Sequence, residues 1–540
     1  MKDNAAAETV PPKPVLVVGA GPVGLAVTTD LARRGVPVRC VDRAAERSPL
    51  TKALGVWPRS VEILDKLGAR GAAPTRGLRV DSFRYYSGNR PVARLRFPDR
   101  TAPLILPQPD VEAILGDCLD TTDARVERGV QLLDLDQDEQ GVKARLRDAR
   151  GDETVEEFSW VIGCDGAGST VRNLTGIAFE GATYPHTFVV ADVDLEGDLE
   201  HEDNHYYCSP RGILVIAGLP DGQYRVFTSA PPGLDPAEVT LDVVQRLVDE
   251  RGPGGLRLVH ENWISAFSVH ARHAETTRSG RILLAGDAAH IHSPAGGQGL
   301  NTGLYDAHNL AWKLALVWHG DADAALLDTY VHERGAAAQD VVRQADRQTR
   351  AWLLQKPHQV LLRDLALRAG SALRLAHWSY TSTLAGFRTV HATAERPGTG
   401  RGGFRSGALL PDRTVRDGAT GRRTTLRRAL PDLTHTVLVL DPPHEAAPRL
   451  RAELQALRTR FGDRLTVRVL DTSRRVLAAP GDWPRPARPG LPRRPLLVLV
   501  RPDHHIDAVR PLSGTAGLGD RLATVLSRRG GTRTPAPTGA

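Results

Sequence analysis

GRILLAGDAAHIHSPAGGQGLNTGLYDAHNLAWKLA, residues 280–315, is the stretch that decides how this chain is read. Arg281-Ile282-Leu283-Leu284-Ala285 is a short apolar run bounded by glycine, which predicts a buried strand. Gly286-Asp287 then falls at the strand's carboxyl end, where open α/β sheets place their ligands. The loop 293–299 carries Gly296, Gly297 and Gly299, and a backbone without Cβ atoms lets N–H groups approach a ligand closely. Leu300, Leu304, Ala307, Ala311, Leu314 and Trp318 follow at three- and four-residue spacing, one apolar face of a helix. Strand, acid, glycine loop and helix start together suit a ligand with hydroxyls and a site that accumulates negative charge.

The same logic appears twice upstream. Val15-Leu16-Val17-Val18 predicts a buried parallel strand, followed by Gly19-Ala20-Gly21-Pro22-Val23-Gly24 and a helix to about Arg34. A second strand, 36–41, ends in Asp42. This is GxGxxG between strand and helix with an acid about 20 residues on, the pattern of a dinucleotide site. The glycines allow the tight turn, the approach of a pyrophosphate and close helix packing, and Asp42 can accept from ribose hydroxyls. The motif alone does not separate FAD from NAD. Val161-Ile162-Gly163-Cys164-Asp165-Gly166-Ala167-Gly168-Ser169-Thr170-Val171-Arg172 supplies a third strand end with an acid, glycines and a helix start.

Between these motifs, 60–67 has helical periodicity ending at Gly68, with Lys52 and Arg59 placed either against phosphate or as solvated helix charges. A strand-like region covers 79–106, and a helix begins near Gln108. Residues 184–267 are strand-rich and carry Tyr206, Tyr207, Tyr224, Phe227 and Trp263. They predict a separate antiparallel sheet whose apolar face forms either a substrate pocket or simply a core. After 326–391, helical by pattern, a Gly/Arg-rich linker at 396–407 leads to strand 434–440, helix 444–461, strand 464–470, hairpin 496–507 and helix 517–528, the order of a thioredoxin fold. The tail 530–540 is expected to be disordered.

Composition narrows the classes further. At 540 residues the chain holds several domains, and 41% hydrophobic with 25% charged residues is the balance of a globular enzyme. The net charge is +7, but only seven of the 70 basic residues are Lys, and the Arg are scattered among Asp and Glu. No basic stripe with interleaved aromatics argues for nucleic acid. The four cysteines, Cys40, Cys118, Cys164 and Cys208, form no CxxC or zinc spacing, so neither dithiol chemistry nor a metal site is expected. His504-His505 lacks a nearby third ligand in the sequence. There is no apolar signal region and no run of spanning length, which makes the cytoplasm the expected location, with no membrane partner.

Taken together, VLVVGAGPVGLA, CDGAGSTVR and the opening stretch resemble the class A FAD-dependent aromatic hydroxylases of the para-hydroxybenzoate hydroxylase type, over about residues 14–334. The C-terminal part, with Val500-Arg501-Pro502-Asp503, resembles the phenol and polyketide hydroxylase branch with its redox-inactive thioredoxin-like domain. The resemblance implies an α/β fold. A discontinuous FAD-binding domain (13–79, 107–183 and 276–330) is interleaved with an antiparallel substrate domain (80–106 and 184–275). A helical segment at 331–397 and a thioredoxin-like domain at 398–529 follow.

For the site, the resemblance implies that Gly19, Gly21, Pro22, Gly24, Asp42 and Arg43 hold the ADP half of FAD, with Lys52, Arg59 and Gln108 also at the cofactor. Asp165 and Arg172 lie near the pyrophosphates, and Gly286 and Asp287 at the ribityl chain. Pro294, Gly296, Gly297, Gly299, Leu300 and Asn301 sit beside the flavin ring. Lys52 stands where many relatives carry Arg, and Tyr305 where Gln or His is common. Tyr224, Arg225 and Tyr305 are substrate candidates, and no side chain is assigned as a substrate base. The implied reaction uses NADPH or NADH and O2, through a flavin C4a-hydroperoxide, to hydroxylate a bulky polyketide-type aromatic. Epoxidation, Baeyer–Villiger oxidation, oxidative antibiotic inactivation and a non-catalytic flavin scaffold are the alternatives. A halogenase is disfavoured by the absence of a WxWxIP motif. A monomer or homodimer is expected.

Overall fold

The computed structural model describes residues 13–51, 53–391, 400–401, 403–442, 447–472, 474–478, 495–512 and 516–526. Lys52, the tail 530–540 and much of the linker at 396–407 lie outside these residues. The chain divides into two compact units, Met1–His308 with Gly335–Ala385, and Asn309–Arg334 with Gly386–Ala540.

In the first unit, β1 (Val15–Val18) is buried at every position, as a central parallel strand must be. It leads into helix α1 (Pro22–Arg33), whose Leu25, Val27 and Leu31 are buried. β2 (Val38–Asp42) follows, then helices α2 (Pro58–Leu64) and α3 (Gln108–Leu119). The turn after α2 is continued by Asp65–Ala69, where Gly68 has φ +123° and ends the helical path at the predicted glycine. With β3 (Ser82–Ser87), β4 (Arg90–Arg96), β5 (Val126–Arg128), β6 (Trp160–Gly163), β7 (Phe179–Glu196), β8 (Asp203–Ser209), β9 (Gly212–Gly218) and β10 (Tyr224–Ser229), the strands sort into two principal sheets. Helix α4 (Leu241–Arg251), β11 (Arg257–Ala274), β12 (Arg278–Ser279), β13 (Ile282–Leu284), β14 (His290–Ile291) and helices α5 (Gly299–Trp318) and α6 (Leu326–Trp352) follow, with two further helices at Pro357–Ala372 and Arg374–Leu384.

The first sheet has the order β12-β13-β6-β1-β2-β5. Its β13, β6, β1, β2 and β5 run parallel, so their carboxyl ends leave by one edge. The second has the order β14-β11-β7-β10-β9-β8-β3-β4 and is antiparallel except where β8 meets β3. One of its faces packs Tyr207, Leu214, Val226, Val189 and Val193 against Val244 and Val248 of α4. Register puts Tyr85, Tyr206, Val215, Phe227, Val190 and Ser265 in a single row on the opposite face.

The second unit contains β15 (Thr414–Asp417), β16 (Arg423–Thr425), β17 (His435–Leu440), α7 (Ala447–Phe461), β18 (Leu465–Asp471), β19 (Val476–Leu477), β20 (Leu496–Val500), β21 (Ile506–Pro511) and α8 (Ala516–Val525). Their sheet order is β16-β15-β19-β18-β17-β20-β21. β17 and β18 are parallel around α7, and β20 and β21 form the antiparallel hairpin, matching the predicted succession. Alternate residues of β17 and β20 feed two cores: Val437, Val439, Leu497 and Leu499 pack with α7 and α8, and Leu438, Leu440, Val498 and Val500 with Phe404 and Leu426. Asn309–Arg334 belongs to this unit, although the sequence reading assigned most of it to the cofactor domain. Within it, Lys313 and Asn309 meet Glu333, Glu333 meets Arg501, and Leu316 packs against the core of α7 and α8.

Candidate functional site

The three motifs end β1, β6 and β13, which are neighbours in one parallel sheet. At the first, a Cβ on Gly19 would stand 2.5 Å from the Cys164 carbonyl oxygen, and one on Gly24 would stand 1.8 Å from the Gly19 oxygen. Those two glycines allow the helix to pack on the strands. A Cβ on Gly21 would meet nothing within 4 Å, so this position is left for a ligand to approach. Gly21 caps α1 without a side-chain hydrogen bond and Pro22 opens it, leaving first-turn N–H groups outside the helical ladder. Asp42 accepts from Ala20 N–H at 2.7 Å and Ala44 N–H at 2.8 Å through different oxygens. A carboxylate has about four acceptor sites, so two remain for a diol. An open approach, positive helix end and diol acceptor fit the ADP half of FAD.

At the second motif, Asp165 is turned inward to its own loop. It accepts from Ser169 Oγ at 2.5 Å and Val171 N–H at 3.1 Å. Arg172, 5% exposed, donates to the carbonyl oxygens of Ala288 at 2.9 Å and Ala167 at 2.8 Å, and lies 3.8 Å over the Phe179 ring. Its bonds join the second motif to the third, a bracing geometry.

At the third motif, Gly286–Ala288 forms a single tight turn with Gly286 at φ +62° and the Asp287 residue exposed. Asp306 of α5 holds this turn: its Oδ2 accepts from Gly286 N–H at 3.1 Å and lies 2.6 Å from His290 Nε2. The loop then makes a turn, Gly297 N–H to Pro294 O at 2.9 Å, with Gly296 at φ +81° in its third position, the conformation that favours glycine. Asn301 clasps the loop. Its Nδ2 donates to Gly297 O at 2.7 Å and Gly55 O at 2.8 Å, while Oδ1 accepts from Trp57 N–H and Ser60 Oγ. Gly299 begins α5 beside that clasp.

The remaining predicted residues divide. Arg43 is exposed beyond β2. Arg59 is 5% exposed and donates to Glu62 Oε2 at 3.0 Å, so it is not a solvated helix charge. Gln108 donates to Glu112 at 3.0 Å. Pro294 is exposed, and Gly296, Gly297, Leu300 and Tyr305 are half-buried. Tyr224 belongs to the core beneath α4 and donates to Leu199 O at 3.2 Å, which corrects its reading as a substrate candidate: alternation along β10 turns it away from the aromatic row. Arg225 points to the other face, where Asp192 takes it by two bonds of 2.6 Å and Trp263 lies 5.4 Å from its guanidinium. Beside the glycine loop, burial pushes His292 down to about 4, and its buried Nε2 has no hydrogen-bond partner among the described residues.

Comparison with known proteins agrees with this geometry. The FAD binding domain family matches residues 13–345. This chain belongs to that family. A 6-methylpretetramide 4-monooxygenase from Streptomyces rimosus is 40% identical over 331 residues, 59% of this chain and 58% of the relative's length. The curated match therefore spans well under two thirds of that relative. Among solved structures, anhydrotetracycline hydroxylase from Streptomyces rimosus superposes with TM-score 0.75 at 28% identity, covering 95% of this chain and 99% of the other. Aklavinone-11 hydroxylase, solved with FAD and aklavinone, gives TM-score 0.75 at 26% identity, covering 96% of this chain and 100% of the other. As a member of the family the chain binds FAD, and no described helix is long and apolar enough to cross a membrane.

Sequence reasoning missed Trp57 and Asp306, whose partners lie 239 and 20 residues away. The only available signal for Asp306 was an acid on the buried face of a helix that begins at the glycine loop. In the second unit, the structure brings a third group to His505: His391, Asp503 and His505 are buried with ligand atoms within 4.8 Å of one another. Asp503 is already gripped by Arg501 and receives Asn309 Nδ2 at 3.1 Å. Lys313, fully buried, stands in the same network at 2.9 Å from Glu333. A metal cation there would face two cations and a carboxylate with its lone pairs taken, so the geometry reads as a closed ion network.

Proposed function

We propose that this chain is an FAD-dependent monooxygenase that uses NADPH or NADH and O2 to hydroxylate a bulky, uncharged polycyclic aromatic of polyketide type. The observation that carries the reading is the coexistence, within one unit, of three neighbouring glycine-rich parallel strand ends and a broad aromatic sheet face. Bound FAD, once reduced by the nicotinamide, supplies the activation of oxygen. The residues of the chain supply position, charge stabilisation and dryness.

The exposed Asp287 is suited to ribityl hydroxyls, and the N–H groups that open α5 at Gly299 favour negative charge at the ring. The row Tyr85, Tyr206, Val215, Phe227 and Val190 offers flat apolar surface and keeps water from the reacting ring. On that face the buried Arg225 guanidinium is neutralised by Asp192, which favours a neutral ring system with keto or phenol groups over a carboxylate beside it. Names of relatives support the same class: one acts on a pretetramide, and another is solved with aklavinone.

The test is a coupled assay of NADPH consumption against a panel of polyphenols and quinones, with mass analysis for one added oxygen. The expected result is a flavin-bound protein that oxygenates at least one fused-ring phenol. Protein without flavin, or flavin that oxidises NADPH with no oxygenated product from the whole panel, would overturn the reading.

A further inference from the structure

Trp57 precedes α2 and is only 1% exposed. Its indole Nε1–H donates to Gly296 O at 2.9 Å, and its backbone N–H to Asn301 Oδ1 at 2.8 Å. The edge of its ring contacts Phe83, centroids 6.2 Å apart, and Phe97 at 5.8 Å. Phe83 lies 5.2 Å from Tyr206, which stacks on Tyr85 at 4.9 Å and tilts against Trp352 at 5.6 Å. Close-packed rings thus run from the aromatic sheet face to one carbonyl of the glycine turn.

That carbonyl is well placed to matter. Gly296 has φ +81° in the turn closed by Gly297 N–H to Pro294 O, so rotating its peptide means rebuilding the turn. Its other donor is Gln298 Nε2, at a long 3.4 Å. The indole has two side-chain torsions and both are fixed, one end by packing and the other by the hydrogen bond. A displacement of Phe83 or Tyr206 by a bound aromatic therefore reaches the loop through a stiff lever rather than through chain connectivity.

We propose that Trp57 is the positioning residue that seats the glycine loop beside the flavin and couples the aromatic face to it. This rests on the FAD reading above. The test uses purified full-length holoenzyme, wild type against Trp57→Phe, which keeps a ring and removes the N–H. The readouts are FAD per chain, iodide quenching of FAD fluorescence, thermal midpoint, and peroxide formed per NADPH consumed. The expected result is full FAD occupancy, a midpoint near that of wild type, and quenching and peroxide yield raised about five- to tenfold. That factor corresponds to about 1–1.4 kcal/mol of lost preference for the seated loop, at 1.4 kcal/mol per tenfold.

Phe97→Leu keeps the indole N–H and loosens its packing, so it should move quenching in the same direction by a smaller factor. It stands in should Trp57→Phe fold poorly. Flavin bound with quenching and peroxide yield unchanged in both variants overturns the role of Trp57. A wild-type protein that carries no flavin overturns the FAD reading beneath it instead.

Discussion

Two polar regions of this molecule, one open and one buried, are built to opposite ends. At the strand ends of the first unit, Gly21 faces open space, Asp42 keeps acceptor capacity, and Asp287 is exposed. In the second unit, Lys313, Glu333, Arg501 and Asp503 close on one another with Asn309. Burial drives Lys313 down to about 8 and would raise Glu333 and Asp503, but Arg501, joined by Lys313 and His391 at Glu333 and by His505 at Asp503, holds both well below the ordinary carboxylate range. Acids mark both regions in the sequence. What separates them is whether hydrogen-bonding capacity is left over for a ligand.

The largest expected effect breaks the closed region. Arg501→Met leaves Glu333 and Asp503 short of a cation in a buried place, which costs about 3–5 kcal/mol of stability. Urea unfolding monitored on the full chain measures it; a loss below about 1 kcal/mol would mean that the network is open to water. Replacing Arg501 is not expected to alter the flavin spectrum of protein that remains folded.

Two of the three glycines of the first motif sharpen the open region. In Gly24→Ala the new Cβ would fall 1.8 Å from Gly19 O, so backbone must move, at about 1–3 kcal/mol, and FAD is lost with the helix position. In Gly21→Ala the Cβ meets no protein atom, so stability should fall by no more than about 1 kcal/mol while FAD affinity drops at least about tenfold. Equal effects of the two on stability would erase the distinction. With Asp287 in the proposed place at the ribityl chain, Asp287→Ala removes hydrogen bonds worth about 1.5–3 kcal/mol, so FAD should bind about 10- to 150-fold more weakly in an equilibrium titration. Wild-type affinity would remove Asp287 from the site.

The most gradual effect is on pH. Burial lowers His435 from 6.5 to about 4. Above 6.5 both folded and unfolded chains hold it neutral; between 6.5 and about 4 only the unfolded chain takes up the proton, so stability falls as pH falls through that window. Glu333 and Asp503, held below 4.5 and 3.8, contribute fully above those values and lose their contribution only at lower pH. His435→Phe should make the first limb of a stability–pH curve shallower, with the buried His292, His391 and His205 keeping the rest of it, and leave the second unchanged.

The strand ends were legible because their signals are local. VLVVGAG, an apolar run ending in glycine and an acid at fixed distance need only the neighbouring residues to specify a turn. The succession of β17, α7, β18 and the β20–β21 hairpin was legible for the same reason. Asn301 could be placed at the start of the helix after the glycine loop, but not as the clasp that joins that loop to Gly55 and Trp57, because those two contacts cross 246 and 244 residues of chain. Tyr224 and Arg225 are adjacent in sequence and face opposite sides of one strand. Only the register of six strands decides which side is covered by α4. The second motif held a different lesson. Its acid and Arg172 look like ligand groups in sequence, yet their hydrogen bonds go to Ser169, Val171, Ala167 and Ala288.

The most direct measurement of the contrast is amide hydrogen exchange on the full chain with and without saturating FAD. The account predicts slowed exchange at 19–25, 286–289 and 296–303, with residues 496–511 unchanged. Protection at 496–511 in place of 19–25, or no protection at the glycine loops with FAD bound, would contradict it.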